Sequence, residues 1–189
     1  MANLCENVLI VEGEASEVLR FQETFAGKLN GLGEDNYRFS NVVPENLPSG
    51  LDPSTCEDSE IIKAIVDRRL NLWGSQIDEL YTPDVQWYEY EENGFASVCL
   101  EFFTKWSPPT SFCMNASENF PNLQFILRFV ETGVGFMGEA IYENGYALKL
   151  ISVDITDEHY REAGASFDET GEIDYETWEG TLFDLFPLD

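Results

Sequence analysis

Basic residues are the scarcest feature of this chain. Ten Lys and Arg stand against 36 Asp and Glu, so the formal net charge of the 189 residues is −26. A chain with this charge repels nucleic acid and anionic membranes, and its long-range field steers cationic molecules toward it. The composition therefore predicts no direct binding to nucleic acid or to a membrane, and it points to a basic protein as the partner.

Residues typical of catalytic and metal sites are also sparse. The single histidine, His159, is far in sequence from every cysteine, and no zinc spacing or phosphate-binding glycine loop is present. The acidic run at 168–179 approaches a calcium loop, but Gly171 falls at its fourth position, whereas an EF-hand needs glycine at the sixth. We therefore expect no enzyme activity, no metal and no cofactor. A site of paired carboxylates stays open as the enzyme alternative. The sequence does not single out such a pair, because 36 acids produce many pairs by chance.

Long apolar runs and targeting signals are missing as well. No stretch approaches the roughly 18 apolar residues that span a bilayer, and the first residues lack the basic and apolar regions of a secretory signal. The cysteines Cys5, Cys56, Cys99 and Cys113 show no paired spacing. We expect a cytoplasmic chain whose cysteines are reduced and mostly buried, with one disulfide left open. The oligomeric state is not predicted.

The apolar residues that are present suffice for a packed core, at 43% hydrophobic and 14% aromatic. Their periodicity predicts an α+β fold, with helices on one face of a mostly antiparallel sheet. Asn-Gly pairs at 93–94 and 144–145 predict two hairpin turns. The predicted strands are 7–12, 85–91, 95–106, 123–130, 136–142 and 146–153, and the predicted helices are 14–29, 59–72 and 110–120.

The composition changes after residue 153. Twelve acids and one Arg follow, interleaved with aromatic residues, and Asp174–Leu185 could form an acidic amphipathic helix with Trp178 on its apolar stripe. We therefore divide the chain into an α+β domain, residues 1–153, and an acidic C-terminal extension, residues 154–189, packed on or next to it. Two interpretations of the extension stay open: a terminal helix that caps the sheet, or an acidic face for a partner.

Several segments resemble the YubB ferredoxin-like family of phage and plasmid proteins. The resemblance rests on the start of the chain through Gly13, on Asn-Leu-Trp-Gly-Ser-Gln-Ile-Asp at 71–78, and on Phe-Thr-Lys-Trp-Ser-Pro-Pro at 103–109, followed by Phe-Pro-Asn-Leu-Gln-Phe at 120–125. It implies a ferredoxin-like α+β core, an origin on a mobile element and the cytoplasm of the host cell. It implies no established chemistry.

Charge and resemblance together lead to a functional hypothesis. We expect a nucleic-acid mimic that inhibits a host defence nuclease, of a CRISPR-Cas or a restriction system, by occupying its basic nucleic-acid-binding surface. The residues expected to contact the partner are Glu89, Glu91, Glu92, Asp168, Glu169, Glu172, Asp174, Glu176, Trp178, Glu179 and Asp184. The alternative is an interaction module anchored by the C-terminal aromatics Trp178, Phe183 and Phe186, without mimicry. A third possibility is that the charge serves solubility alone.

Overall fold

The strands and helices predicted from sequence periodicity form a single sheet with helices packed against it. The computed structural model describes residues 3–27, 37–46, 59–77, 86–175, 178 and 180–188, and for residues 86–91 it describes the backbone alone. The strands are β1 (Leu4–Glu14), β2 (Gln86–Glu92), β3 (Phe95–Lys105), β4 (Leu123–Glu131), β5 (Phe136–Glu143) and β6 (Tyr146–Asp154). The helices are α1 (Ala15–Phe25), α2 (Phe39–Val42), α3 (Ser59–Trp73), α4 (Thr110–Asn119) and α5 (Asp157–Glu162), followed by a 3-10 helix (Leu182–Leu185).

The sheet has the order β2-β3-β1-β4-β5-β6, and each pair of neighbours is antiparallel. Its first four strands, with α1 after β1 and α4 between β3 and β4, form the split βαβ arrangement of ferredoxin-like folds. The β5–β6 hairpin extends this unit beyond β4. The predicted α+β fold with a mostly antiparallel sheet is therefore confirmed.

One face of the sheet carries the main core. Along β4, Leu123, Phe125, Leu127 and Phe129 are buried, while the residues between them are partly exposed up to Arg128. This alternation follows from the two-residue period of a strand. The helices cover the apolar face with a cluster of aromatic rings, which are those of Phe21, Phe25, Phe39 and Phe112, with centroids 4.7–6.4 Å apart.

Both hairpin turns form where the Asn-Gly pairs predicted them. Asn93 and Gly94 have φ angles of 53° and 81°, and Asn144 and Gly145 have φ angles of 49° and 77°. A type I′ turn needs positive φ at both central residues, which Asn and Gly adopt at low cost. These turns set the register of β2 with β3 and of β5 with β6.

The helix predicted over Asp174–Leu185 is wrong for the residues that the structure describes there. Only Leu182–Leu185 is helical, as a 3-10 helix, and residues 174, 175, 178, 180 and 181 are not helical. The chain here packs closely against the residue that follows α5: a Cβ on Gly180 would lie 2.3 Å from the Ala163 carbonyl oxygen, and Trp178 donates to the same carbonyl. Tertiary packing has overridden the helical pattern. Across the described parts of the chain, no helix is long and apolar enough to cross a membrane.

Candidate functional site: an acidic segment on the sheet face opposite the main core

The residues after β6 are here called the C-terminal segment (155–188), and their described part packs against the sheet face opposite the main core. Val130 of β4 and Met137 of β5 are buried there with Tyr160, Ala163 and Leu182. Val130 follows Phe129 directly, so the two side chains point to opposite faces of the sheet. The segment is therefore folded onto the sheet through a second apolar cluster of its own.

Trp178 belongs to this second cluster. Its indole Nε1–H donates a hydrogen bond to the Ala163 carbonyl at 2.9 Å, and its ring lies edge-on to that of Tyr160 with centroids 5.5 Å apart. Burial raises the pKa of Tyr160 to about 12. Phe183 and Phe186 pack against the same cluster. The aromatics proposed as partner anchors are thus partly committed to packing inside the chain.

A buried carboxylate ties the segment to the sheet. Glu139 of β5 is 1% exposed; its Oε2 lies 2.9 Å from Arg128 Nε, and its Oε1 lies 2.9 Å from Lys149 Nζ, in an ion pair outside hydrogen-bonding angles. Both cations also reach the end of the segment. The Arg128 guanidinium lies 5.7 Å from the ring centroid of Phe186, and Lys149 Nζ donates to the Leu188 carbonyl.

The ion-paired residues Glu139, Arg128 and Lys149, here called the Glu139 trio, were not identified from the sequence. Arg128 and Lys149 occur on strands predicted from alternation, and each stands at a position between core-facing residues. Because cations are rare in this chain, a cation at such a strand position could have indicated an ion pair on that face of the sheet. The partner acid was not identifiable, because 36 acids offered too many choices.

Negative charge is concentrated in the last part of the chain. Residues 154–189 hold 12 Asp and Glu and one Arg, a net −11, whereas residues 1–153 hold 24 acids and nine Lys and Arg, a net −15. The charge per residue is therefore about three times higher after residue 153. The lone cation, Arg161, lies 3.5 Å from Glu158 and 4.0 Å from Asp157, and stacks 4.5 Å from the Phe167 ring.

Three of the predicted contact residues share one turn. Asp168, Glu169 and Glu172 are exposed between Phe167 and Ile173, which form an isolated β-bridge. Asp168 Oδ1 accepts hydrogen bonds from the hydroxyl and the amide of Thr170 at 2.7 and 2.8 Å and from the amide of Glu172 at 3.0 Å. The Thr170 hydroxyl bond first, and the backbone bonds after it, lower the pKa of Asp168.

The remaining predicted acids of the segment have different surroundings. Asp184 is exposed and accepts the Thr181 amide at 3.1 Å, which caps the 3-10 helix, while Asp174 is partly buried. Glu176 and Glu179 lie outside the described residues. The structure adds four exposed acids that the sequence analysis did not assign to the site, which are Asp154, Asp157, Glu158 and Glu162.

The second predicted cluster lies elsewhere on the sheet. Glu92 is exposed beside the β2–β3 turn, and the side chains of Glu89 and Glu91 lie outside the described residues. β2 and β6 are at opposite edges, five strand spacings or about 24 Å apart. Glu92 also lies at the opposite end of the strands from Asp154, where the C-terminal segment begins. The structure therefore does not bring Glu92 together with the segment.

No metal geometry accompanies these acids. Within the described ranges, no three His, Cys, Asp or Glu side chains converge as a candidate metal site. Among the described cysteines, the predicted burial is confirmed for Cys5 and Cys113, and Cys99 is half-buried. No disulfide joins these three residues. Burial raises the pKa of the Cys5 thiol to about 12 and also raises that of Cys113. Cys56 lies outside the described residues.

Comparison with known proteins gives one family and one fold relative. Residues 84–178 match the family model described as the ferredoxin-like domain in Api92-like protein. The crystal structure of a protein api92 from Yersinia pseudotuberculosis is similar with a TM-score of 0.51 and 12% identity, over 82% of this chain and 99% of that chain. No curated protein matches. At 12% identity this likeness shows the fold alone. The family match begins at residue 84, shortly before β2, and ends at Trp178 of the C-terminal segment.

Proposed function

The chain belongs to the family of the ferredoxin-like domain in Api92-like protein, and we propose that it acts as an acidic nucleic-acid mimic. The C-terminal segment, together with Asp154, presents carboxylates to Lys and Arg residues that hold phosphates in a partner protein. Duplex DNA carries one negative charge per about 1.7 Å of its axis, and a groove evolved for that field attracts a comparable protein surface.

The proposal includes a biological setting. The YubB resemblance suggests an origin on a phage or plasmid, and such elements gain from blocking the defence nucleases of their host. The partner would then be a CRISPR-Cas or restriction nuclease in the host cytoplasm, and the chain would bind it without catalysing a reaction.

The observation that carries the proposal is a dense group of exposed acids on an anchored segment. Among the described residues from 154 onward, eight acids are exposed, which are Asp154, Asp157, Glu158, Glu162, Asp168, Glu169, Glu172 and Asp184. The only Lys or Arg in this part of the sequence, Arg161, is engaged with two of them. Since the second apolar cluster and the Glu139 trio hold the backbone on the sheet, binding would require little additional ordering.

The packing of the aromatics favours this proposal over an aromatic-anchored module. Trp178 uses its only side-chain donor on the Ala163 carbonyl, and Phe183 and Phe186 lie partly buried against the second cluster. A binding hot spot usually offers its aromatic surface to the partner. The exposed carboxylates of the C-terminal segment are therefore the groups most available for contact with a partner.

The test uses two variants with equal charge changes. One carries Glu162→Gln, Glu169→Gln and Glu172→Gln, all exposed acids of the C-terminal segment; the control carries Asp67→Asn, Glu101→Gln and Glu118→Gln, which are exposed elsewhere. Basic proteins captured from a host lysate at low salt are purified, and each variant competes with duplex DNA for them. Exposed ion pairs contribute about 0.2–1 kcal/mol each, so the segment variant should compete roughly 3- to 150-fold less well.

Equal competition by both variants would contradict the role given to the segment, since their net charges are identical. Binding that does not weaken between low and high salt would contradict mimicry itself, because contacts to a phosphate-binding groove are screened.

A further inference from the structure

The strand β6 forms one end of the sheet. β6 pairs with β5 on one side, and among the described residues no strand pairs with its other side. An edge of this kind presents backbone N–H and C=O groups on which another strand can form hydrogen bonds. β6 spans nine residues, Tyr146–Asp154, which is long for an edge strand.

Exposed apolar side chains lie along β6, and few charged residues lie among them. Leu148 and Leu150 are 59% and 62% exposed, and the strand between Tyr146 and Val153 has a single charged residue, Lys149. Natural edge strands are commonly guarded by a lysine that points to solvent. Lys149 does not place its charge at this edge. Its ammonium group pairs with Glu139 and donates to the Leu188 carbonyl on the sheet face that the C-terminal segment covers. The register shift opposite Tyr142 disturbs the pairing only near the start of β6.

The charges around β6 indicate what can bind there. Glu143, which pairs with Tyr146 at the start of the strand, and Asp154 at its end are both exposed. The edge therefore has an apolar centre between two carboxylates. A second copy of this chain would bring a further −26 charge against the same surface. An extended segment with apolar residues in its centre and cations at its ends complements both features.

We propose that the outer edge of β6 takes up an extended segment of a basic protein as a seventh strand. This inference rests on the proposed function in so far as both require a basic partner. It adds a docking element for that partner on a strand next to the acidic segment, with main-chain hydrogen bonds for affinity and Leu148 and Leu150 for side-chain contacts.

The experiment uses the full chain and a synthetic peptide as long as β6, with two lysines at each end and β-branched residues between them. A matched peptide is N-methylated at alternate residues, which removes main-chain donors and keeps charge and apolar surface. Binding is measured by fluorescence anisotropy, and amide hydrogen exchange is followed along Tyr146–Asp154. The variant Leu148→Ser with Leu150→Ser is compared with Val134→Ser, another exposed apolar residue (69%), on the β4–β5 turn.

We expect the unmodified peptide to bind and to slow amide exchange in β6. The double leucine variant should bind at least about tenfold more weakly, whereas Val134→Ser should bind as the unchanged chain does. Equal binding of the N-methylated peptide, protection outside β6, absence of binding, or dimerisation of the chain through β6 would each overturn the proposal. The segment variant Glu162→Gln, Glu169→Gln and Glu172→Gln should keep peptide binding, so failure of mimicry and failure of strand addition are distinguishable.

Discussion

Replacing Glu139 by Gln should destabilise the protein and loosen its C-terminal segment. The side chain of Glu139 is 1% exposed and lies 2.9 Å from a nitrogen of both Arg128 and Lys149. Glutamine has nearly the same volume, so the substitution removes the charge without opening a cavity. Two cations are then left beside a neutral group.

The size of the effect follows from the exposure of the two cations. Removing one partner of a fully buried ion pair typically costs about 3–5 kcal/mol. The side chains of Arg128 and Lys149 are 26% and 28% exposed, so water compensates part of the loss. We expect a decrease in the free energy of unfolding of about 2–3 kcal/mol, which corresponds to a fall in Tm of about 4–12 °C for a chain of this length.

The assay is urea unfolding, with Glu101→Gln as the control. Glu101 is exposed on β3, and its replacement changes the net charge by the same amount. The urea midpoint of Glu139→Gln should fall with an unchanged m-value, and the amides of Leu182–Leu185 should exchange faster than in the control. A stability loss no larger than that of Glu101→Gln would refute the idea that the trio holds the segment on the sheet.

Three further predictions concern single groups. Trp73→Phe removes the indole N–H that donates to the Val43 carbonyl at 2.8 Å, and it should lower the free energy of unfolding by about 1–3 kcal/mol in the same urea assay, because a buried acceptor loses its donor. Because the hydrogen bonds of the turn lower the pKa of Asp168, the Thr170 amide resonance should titrate with a midpoint below the ordinary pKa of an aspartate. The contribution of the turn to stability is present above the unfolded-state pKa and is lost as pH falls through the lower folded-state pKa, and Asp168→Ala should abolish this titration. The buried Cys113 thiol, whose pKa is raised by burial, should resist a maleimide in the native protein and react once urea unfolds it; reaction at the rate of an exposed thiol would contradict its burial.

The strands and most helices were predictable because local sequence determines them. In β4 the alternation of Leu123 with Gln124 and of Phe125 with Ile126 matches the side-chain period of a strand. The Asn-Gly pairs place the turns, since few residue pairs adopt positive φ so readily. The helix predicted over 14–29 begins one residue later and ends at Phe25, where Gly27 follows with a φ of 72°.

The site was less predictable because its structure depends on distant contacts. Trp178 fits a helical stripe in the sequence, yet its position follows from the Ala163 carbonyl, 15 residues earlier. Glu139 is an ordinary acid in the sequence and becomes an anchor only when β4 and β6 bring two cations to it. The concentration of acids after residue 153 was evident from composition, but which of them are exposed depends on how the segment folds onto the sheet.

The anchored backbone makes rigidity a testable part of the mimicry. Glu139→Gln leaves every carboxylate of the C-terminal segment in place and removes only a buried charge. A loosened segment must be ordered again on binding, at roughly 0.5–1.5 kcal/mol for each side chain immobilised. We therefore expect Glu139→Gln to compete with DNA for the basic partner less well than Glu101→Gln, although the two variants have equal net charge. If both compete equally, the segment binds as a flexible polyanion, and a fixed array of carboxylates is not what the partner recognises.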